Sequence, residues 1–310
     1  MDHIWERSIP FCNIGMEEAS EIFHQFDQNL EIVELTPILI GCRNSNYRVR
    51  TAHKDFLLRV CPIRDDSYIK DEVIYNGLSR QLHIPQVLYV SEKNSTDRVC
   101  LIYEFVEGRS LQEVSLQRGS MDDYAIVQAA EIAAMIHSFE PTEDDLFQNH
   151  YPPFTTWYDR FLDNEYVEKR LGGEIVEKVK QLIKDKQEYL AEIDQYQSFI
   201  HADFRPANMI VDQYDALWIV DWEFAGYGHS LADIGQFFRY ESCFEPLHLM
   251  QFEIVYNKYS KRPLPKNWYP LSKLRDLVNP LQLLGAEEDY PQKYEDLKNL
   301  IQETLNFFGY

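Results

Sequence analysis

His201-Ala202-Asp203-Phe204-Arg205-Pro206-Ala207-Asn208, followed by Ile219-Val220-Asp221-Trp222-Glu223, decides how the rest of this 310-residue chain is read. An Asp is followed five residues on by an Asn, and thirteen residues after that by a second Asp. Between them, Met209-Ile210-Val211-Asp212 and Ala216-Leu217-Trp218-Ile219-Val220 flank the turn Gln213-Tyr214-Asp215 and read as a short β-hairpin. Asp and Asn taken singly usually serve turns. Here they sit on two loops at the ends of one hairpin, the arrangement that phosphoryl transfer requires. One carboxylate takes the proton of an attacking hydroxyl, while an amide oxygen and another carboxylate hold Mg²⁺ against phosphates.

Towards the N-terminus the pattern changes period repeatedly. Met16 to Asp27 places Ala19, Ile22, Phe23 and Phe26 at helical spacing. Ile32 to Ile40, Tyr47 to Arg50 and Phe56 to Cys61 are apolar runs broken by polar turns, and they read as antiparallel strands. Asp65 to Leu82 is helical again, and strands follow at Gln86 to Ser91 and Arg98 to Phe105. After Val106-Glu107-Gly108 the spacing is helical almost throughout: Asp122 to Phe139, Phe154 to Leu171, Glu174 to Ile193, then Leu231 to Arg239, Leu247 to Tyr259, Leu271 to Leu284 and Gln292 to Phe308. The fold class is therefore α+β. Residues 1–105 form a small antiparallel sheet lobe and residues 106–310 a mainly helical one, with a hinge near Glu104 to Gly108 and a shared cleft.

Composition excludes several other classes. With 45% hydrophobic and 26% charged residues the chain is globular rather than disordered. No apolar run approaches a membrane span, and Met1 to Arg7 lacks the basic and apolar regions of a secretory signal. Cys12, Cys42, Cys61, Cys100 and Cys243 are scattered and odd in number, so neither a disulfide framework nor a CxxC metal site is expected, and a cytoplasmic location is. A net charge of −21 repels nucleic acids and anionic membranes, so neither is expected as a partner, and it attracts small cations.

With these features in place, the chain resembles the aminoglycoside phosphotransferase and choline kinase superfamily, the small-molecule branch of the protein-kinase-like fold. The likeness runs from about Leu35 to about Tyr240. It rests on the His-x-Asp-x-x-x-x-Asn loop, on Asp221-Trp222-Glu223-Phe224-Ala225-Gly226-Tyr227 and on Ala232-Asp233-Ile234-Gly235. Protein kinases carry Asp-Phe-Gly and an activation segment instead, so no protein substrate is expected. A non-catalytic nucleotide-binding member of the fold is disfavoured, because the base and both metal ligands occur together.

The resemblance implies a role for each matching residue, with ATP (or GTP) and Mg²⁺ as cofactors and residues 1–105 as the nucleotide-binding lobe. Asp203 is the base that orients the acceptor hydroxyl, and Asn208 and Asp221 are the Mg²⁺ ligands. Arg205 either approaches the transferring phosphate or pairs with a carboxylate. His201 fixes the loop, and Asp233 either bonds the loop backbone or caps a helix. Gly41 to Tyr47 covers the phosphates with a single glycine, so the backbone near Arg43 and the side chains of Asn44 and Ser45 replace part of the usual close approach. Arg59 stands where protein kinases have a phosphate-binding Lys, and Glu72 either pairs with it or lies on a solvated helical face. Glu104 and Val106 offer backbone groups to the adenine.

The acceptor is a small molecule with a hydroxyl group, and the acidic balance favours a cationic one. An aminoglycoside-like antibiotic leads, with choline, ethanolamine, thiamine, homoserine or another small metabolite alcohol as alternatives. Asp159, Asp163, Glu223 and Glu287-Glu288-Asp289 are the acidic candidates for its site, and Trp157, Tyr158, Trp268 and Tyr269 the aromatic ones.

Overall fold

The computed structural model describes residues 5–148, 153–195 and 197–310. Two compact units emerge, residues 5–108 with 210–223, and residues 109–209 with 224–310. The division expected at 105/106 thus falls at 108/109, and the hairpin carrying Asp221 groups with the sheet rather than with the helices.

In the first unit, β1 (Ile32–Ile38), β2 (Ser45–Thr51), β3 (Asp55–Val60), β4 (Val87–Ser91) and β5 (Cys100–Glu104) form one antiparallel sheet in the order β1-β2-β3-β5-β4. Side chains alternate across a strand, and the two faces of β3 have different jobs. Phe56 and Leu58 face Val49, Ile102 and the apolar side of α1 (Met16–Phe26), where Ala19, Ile22 and Phe23 are fully buried. Each large side chain in that layer contributes roughly 1.5–3 kcal/mol. Leu57, Cys61, Leu101 and Tyr103 lie on the opposite face. Arg59 shares that parity and pairs in register with Leu101. Helix α2 (Ile69–Leu78) starts later than its spacing predicts. Asp65 is occupied in the preceding loop, where it accepts from the Ser67 amide at 2.9 Å and pairs with Arg43.

The hairpin joins this unit through two close approaches. The carbonyl of His83 accepts from the Ile219 amide at 2.9 Å, and the His83 and Trp218 rings lie 5.1 Å apart. Gly108 abuts the other strand so closely that a Cβ there would lie 2.3 Å from the Val211 carbonyl oxygen.

The second unit is mainly helical, and its strands Ser198–Ile200 and Gly226–Gly228 pair antiparallel. Its centre is α4 (Asp123–His137), started by the Asp122 side chain on the Tyr124 amide and packed against Pro246–Tyr259. Three predicted helices are broken. Phe154 to Leu171 becomes Phe154–Trp157, Asp159–Leu162 and Glu165–Leu171, the last restarted by Asn164 capping the Tyr166 amide. Glu174 to Ile193 breaks at Lys186, and Leu271 to Leu284 breaks at Leu277, shortly before Pro280, which has no amide to donate. Helix α3 (Leu111–Arg118) was not predicted, although Ser110 and Glu113 at its start and Gly119 at its end are ordinary start and stop signals.

Candidate functional site

In the helical unit, the loop from His201 to Asn208 is held by Asp233, a fully buried carboxylate near the start of the helix Leu231–Phe237. Asp233 accepts from the His201 and Ala202 amides, each at 2.8 Å, and lies 3.1 Å from His137 Nε2. The Tyr256 hydroxyl is 2.8 Å from the other ring nitrogen of His137. These bonds hold Ala202 at φ 65°, a left-handed conformation that a residue with a Cβ adopts only under constraint. His201 Nδ1 accepts from the Asp203 amide at 3.2 Å.

Asp203 is consequently placed with little freedom. Arg205 grips its two oxygens with Nε at 2.5 Å and Nη2 at 2.8 Å. Asn208 Nδ2 donates to Asp203 Oδ2 at 2.7 Å and to the Asp203 carbonyl at 2.9 Å. With the amide nitrogen spent, the Asn208 oxygen is the side-chain atom left to meet a cation. Burial alone would raise the Asp203 carboxyl. The charge and fork of Arg205, the His201 ring and the Asn208 amide outweigh burial, and the group lies below the usual carboxylate range.

In the sheet unit, Asp221 follows the strand Leu217–Ile219 at φ 69°. Its Oδ1 is buried without a hydrogen bond, and Arg59 Nη2 is 3.5 Å away. Arg59 is itself buried, lies over the Tyr103 ring and keeps Nη1 at 3.8 Å from Asp71 Oδ2, while its Nε has no hydrogen-bond partner. Asp71 also accepts from the Tyr103 hydroxyl at 2.5 Å, and burial pushes its carboxyl up against the pull of Arg59 and Tyr103. Leaving a buried polar atom unpaired costs about 1–3 kcal/mol. A hard cation at Asp221 Oδ1 and an anionic oxygen at Arg59 Nε would satisfy the two orphaned atoms, so the residues present fit a metal–nucleotide ligand.

Glu223 lies in the same cluster, accepting from Asn44 Nδ2 at 3.2 Å with Arg43 Nε at 3.3 Å. Burial and the Asp221 charge push its carboxyl up to about 7, against the pull of Arg43 and Arg59.

Several sequence expectations are corrected. The carboxylate beside Arg59 is Asp71, and Glu72 is exposed on the solvated face of α2. Helix phase decides this, because neighbouring helical residues point about 100° apart and only one can face the sheet. Arg205 takes the second of its two alternatives, the pair with a carboxylate. Arg43 is engaged with Asp65 at 2.8 Å, Asn44 with Glu223, and the Ser45 hydroxyl oxygen with the Cys12 amide at 2.8 Å. These bonds orient the three side chains and still leave the Ser45 hydroxyl hydrogen and the second Asn44 Nδ2 hydrogen, besides the loop backbone, to offer an anion. Glu104 exchanges bonds with Gln86, its amide donating to the Gln86 carbonyl and its carboxylate accepting from the Gln86 amide. Arg48, unmarked by any motif, stacks on Phe105 at 4.5 Å and donates to Glu107 at 2.7 Å, so it braces the connector around Val106.

The acceptor candidates fare differently. Trp157, Tyr158 and Trp268 are buried core side chains, Tyr158 donating to the Leu274 carbonyl. Asp163 is paired with Lys180, Asp289 lies near Arg170, and Asp159 is exposed. No cage assembles from these residues.

The chain matches the model of the phosphotransferase enzyme family over residues 34–257, well over half its length. A search of curated proteins finds no match. Among solved structures it is similar to aminoglycoside phosphotransferase APH(4)-Ia, with 15% identity, a TM-score of 0.67, and 94% of this chain and 99% of that one covered. It is also similar to choline kinase LicA from Streptococcus pneumoniae, with 17% identity, a TM-score of 0.64 and coverage of 94% and 99%. A third likeness is to spectinomycin phosphotransferase APH(9)-Ia in complex with ADP and spectinomycin, with 12% identity, a TM-score of 0.62 and coverage of 88% and 90%. At such identities these likenesses speak for the fold, which is the two-lobe protein-kinase-like one. The family match adds the chemistry, and the chain belongs to the phosphotransferase enzyme family, as a small-molecule kinase that phosphorylates an alcohol group.

Proposed function

We propose that this enzyme moves the γ-phosphate of ATP, or of GTP, to a hydroxyl of a small cationic molecule, with an aminoglycoside-like antibiotic as the leading acceptor. The observation that carries the reading is the Asp203 carboxylate, held in one orientation by Arg205 and Asn208 on a loop fixed from behind by Asp233. Asp203 orients the acceptor hydroxyl and receives its proton at a carboxylate oxygen. Its low carboxyl pKa keeps it ionised at neutral pH and makes orientation the larger part of its work. Asn208 and Asp221 are the proposed Mg²⁺ ligands and Arg59 the proposed phosphate contact. Mg²⁺, when bound, neutralises charge on the phosphate oxygens. The backbone of the loop from Gly41 to Ser45 covers the phosphates, and the connector at Glu104 and Val106 holds the base.

The formal charge of −21 supports a cationic acceptor. Choline and the aminoglycosides, named for two of the similar structures, are themselves cations, which supports the same reading. An ATP-consumption screen against aminoglycosides, choline, ethanolamine, thiamine, homoserine and neutral sugars tests the reading. Turnover with an aminoglycoside supports the leading acceptor, turnover with choline or ethanolamine moves it to the metabolic class, and turnover only with a neutral sugar removes the cationic assignment.

A further inference from the structure

Arg7 belongs to no motif and stands in the segment before α1, yet its guanidinium donates to four main-chain carbonyls. Nε reaches Ile9 O at 3.1 Å, Nη1 reaches Gly41 O at 2.5 Å, and Nη2 reaches Arg43 O at 3.1 Å and Asn44 O at 2.8 Å. The guanidinium carbon is 5.1 Å from the centre of the Phe11 ring, which packs on Tyr47. Further bonds tie the same two segments together. The Ile9 amide donates to Cys42 O at 3.1 Å, the Tyr47 hydroxyl donates to Cys12 O at 2.6 Å, and that hydroxyl accepts from the Ile14 amide at 3.0 Å.

The C=O and N–H of a trans peptide point in opposite directions. Capturing the Gly41 and Arg43 carbonyls therefore turns the Cys42 and Asn44 amides away from Arg7. In an anion-binding loop the amides attract a phosphate and the carbonyls repel it. Loops with several glycines reach that orientation through backbone freedom. This one has only Gly41, at φ 104°, so something else has to fix its peptide planes. We propose that Arg7 is a positioning residue for the nucleotide, holding the Gly41, Arg43 and Asn44 carbonyls to one side so that the loop presents amides to the phosphates. The inference rests on the reading of this loop as the phosphate cover.

The test compares affinities for Mg·ATP and for adenosine, by calorimetric titration of the full chain. Arg7→Met keeps the aliphatic stem against Phe11 and removes the donors. It is expected to weaken Mg·ATP binding about tenfold, equivalent to about 1.4 kcal/mol, while adenosine affinity is unchanged. Arg7→Lys keeps the charge without the planar fork and is expected to fall between wild type and Arg7→Met. Equal weakening of both ligands means that Arg7 serves only general stability, and unchanged Mg·ATP affinity means that the loop needs no anchor; either overturns the inference. If Arg7→Met fails to fold, the ratio of the two affinities in Arg7→Lys decides by the same criteria. Absence of Mg·ATP binding in the wild-type chain would instead remove the proposed function, a result read before any variant is made.

Discussion

Asp203 accepts three side-chain hydrogen bonds, two from Arg205 and one from Asn208. Asp203→Asn keeps the shape but loses the proposed proton acceptor, so kcat is expected to fall by about 10²–10⁴-fold with ATP affinity retained. Unchanged turnover in that variant sinks the assignment of the base. Arg205→Met removes the charge that outweighs burial, so the Asp203 carboxyl is expected to rise. The acid limb of the kcat/KM profile then moves to higher pH, and a profile that stays in place shows that Asp203 is not the group titrating. Asp221→Ala is expected to abolish the Mg²⁺ dependence of ATP binding, measured by titration with and without the metal. At this scale the sequence made Asp203, Asn208 and Asp221 legible, because they recur at short fixed spacing around one hairpin. It left Asp71 and Arg7 unread. Choosing between Asp71 and Glu72 takes the phase of α2 against the sheet, and Arg7 works through main-chain carbonyls that carry no side-chain signature.

Elements carry the next level of control. Gly108 and the hairpin from Ile210 to Glu223 meet closely enough that Gly108→Ala places a methyl group 2.3 Å from the Val211 carbonyl. Overpacking of this kind costs about 1–3 kcal/mol. The variant should show that loss in urea unfolding together with a higher ATP KM, because the displaced hairpin bears Asp221; an unperturbed KM breaks the link between the hairpin and the nucleotide. His229, at the entrance of the helix that carries Asp233, is buried and accepts from the Leu231 amide through Nδ1. Burial, helped by the Arg275 and His137 charges, lowers its pKa to about 3. The neutral ring therefore gives its full stabilisation above the unfolded value of about 6.5, and that stabilisation is lost as pH falls from there towards about 3. Between pH 7 and pH 5, His229→Gln is expected to lose less stability than wild type, by at most about 1.4 kcal/mol per pH unit. Parallel unfolding midpoints for the two proteins across that range would contradict it. Element type was readable wherever periodicity was strong, as in the five strands and α4. The breaks at Lys186 and Leu277 were not, since apolar spacing continues across them and tertiary packing sets the interruptions.

Over the whole molecule the excess of acidic groups produces a field that no single residue explains. If the acceptor is a cation, kcat/KM for it should fall as ionic strength rises while that for a neutral alcohol stays level, because salt screens long-range attraction. Equal salt dependence for both would return the charge to a solubility role. No helix among the described residues is long and apolar enough to cross a membrane. The sequence by itself determined the fold class and the reaction, since both follow from periodicity and from a motif whose chemistry tolerates few other residues. Only the tertiary structure decided the remainder. It gave the hairpin to the sheet unit through His83 and Gly108, replaced Glu72 with Asp71, gave Arg43, Asn44 and Ser45 partners in Asp65, Glu223 and Cys12, and brought Arg7 to the loop 34 residues along the chain. Contacts between distant segments depend on helix phase, strand parity and main-chain geometry, and one-dimensional spacing encodes none of these across a turn.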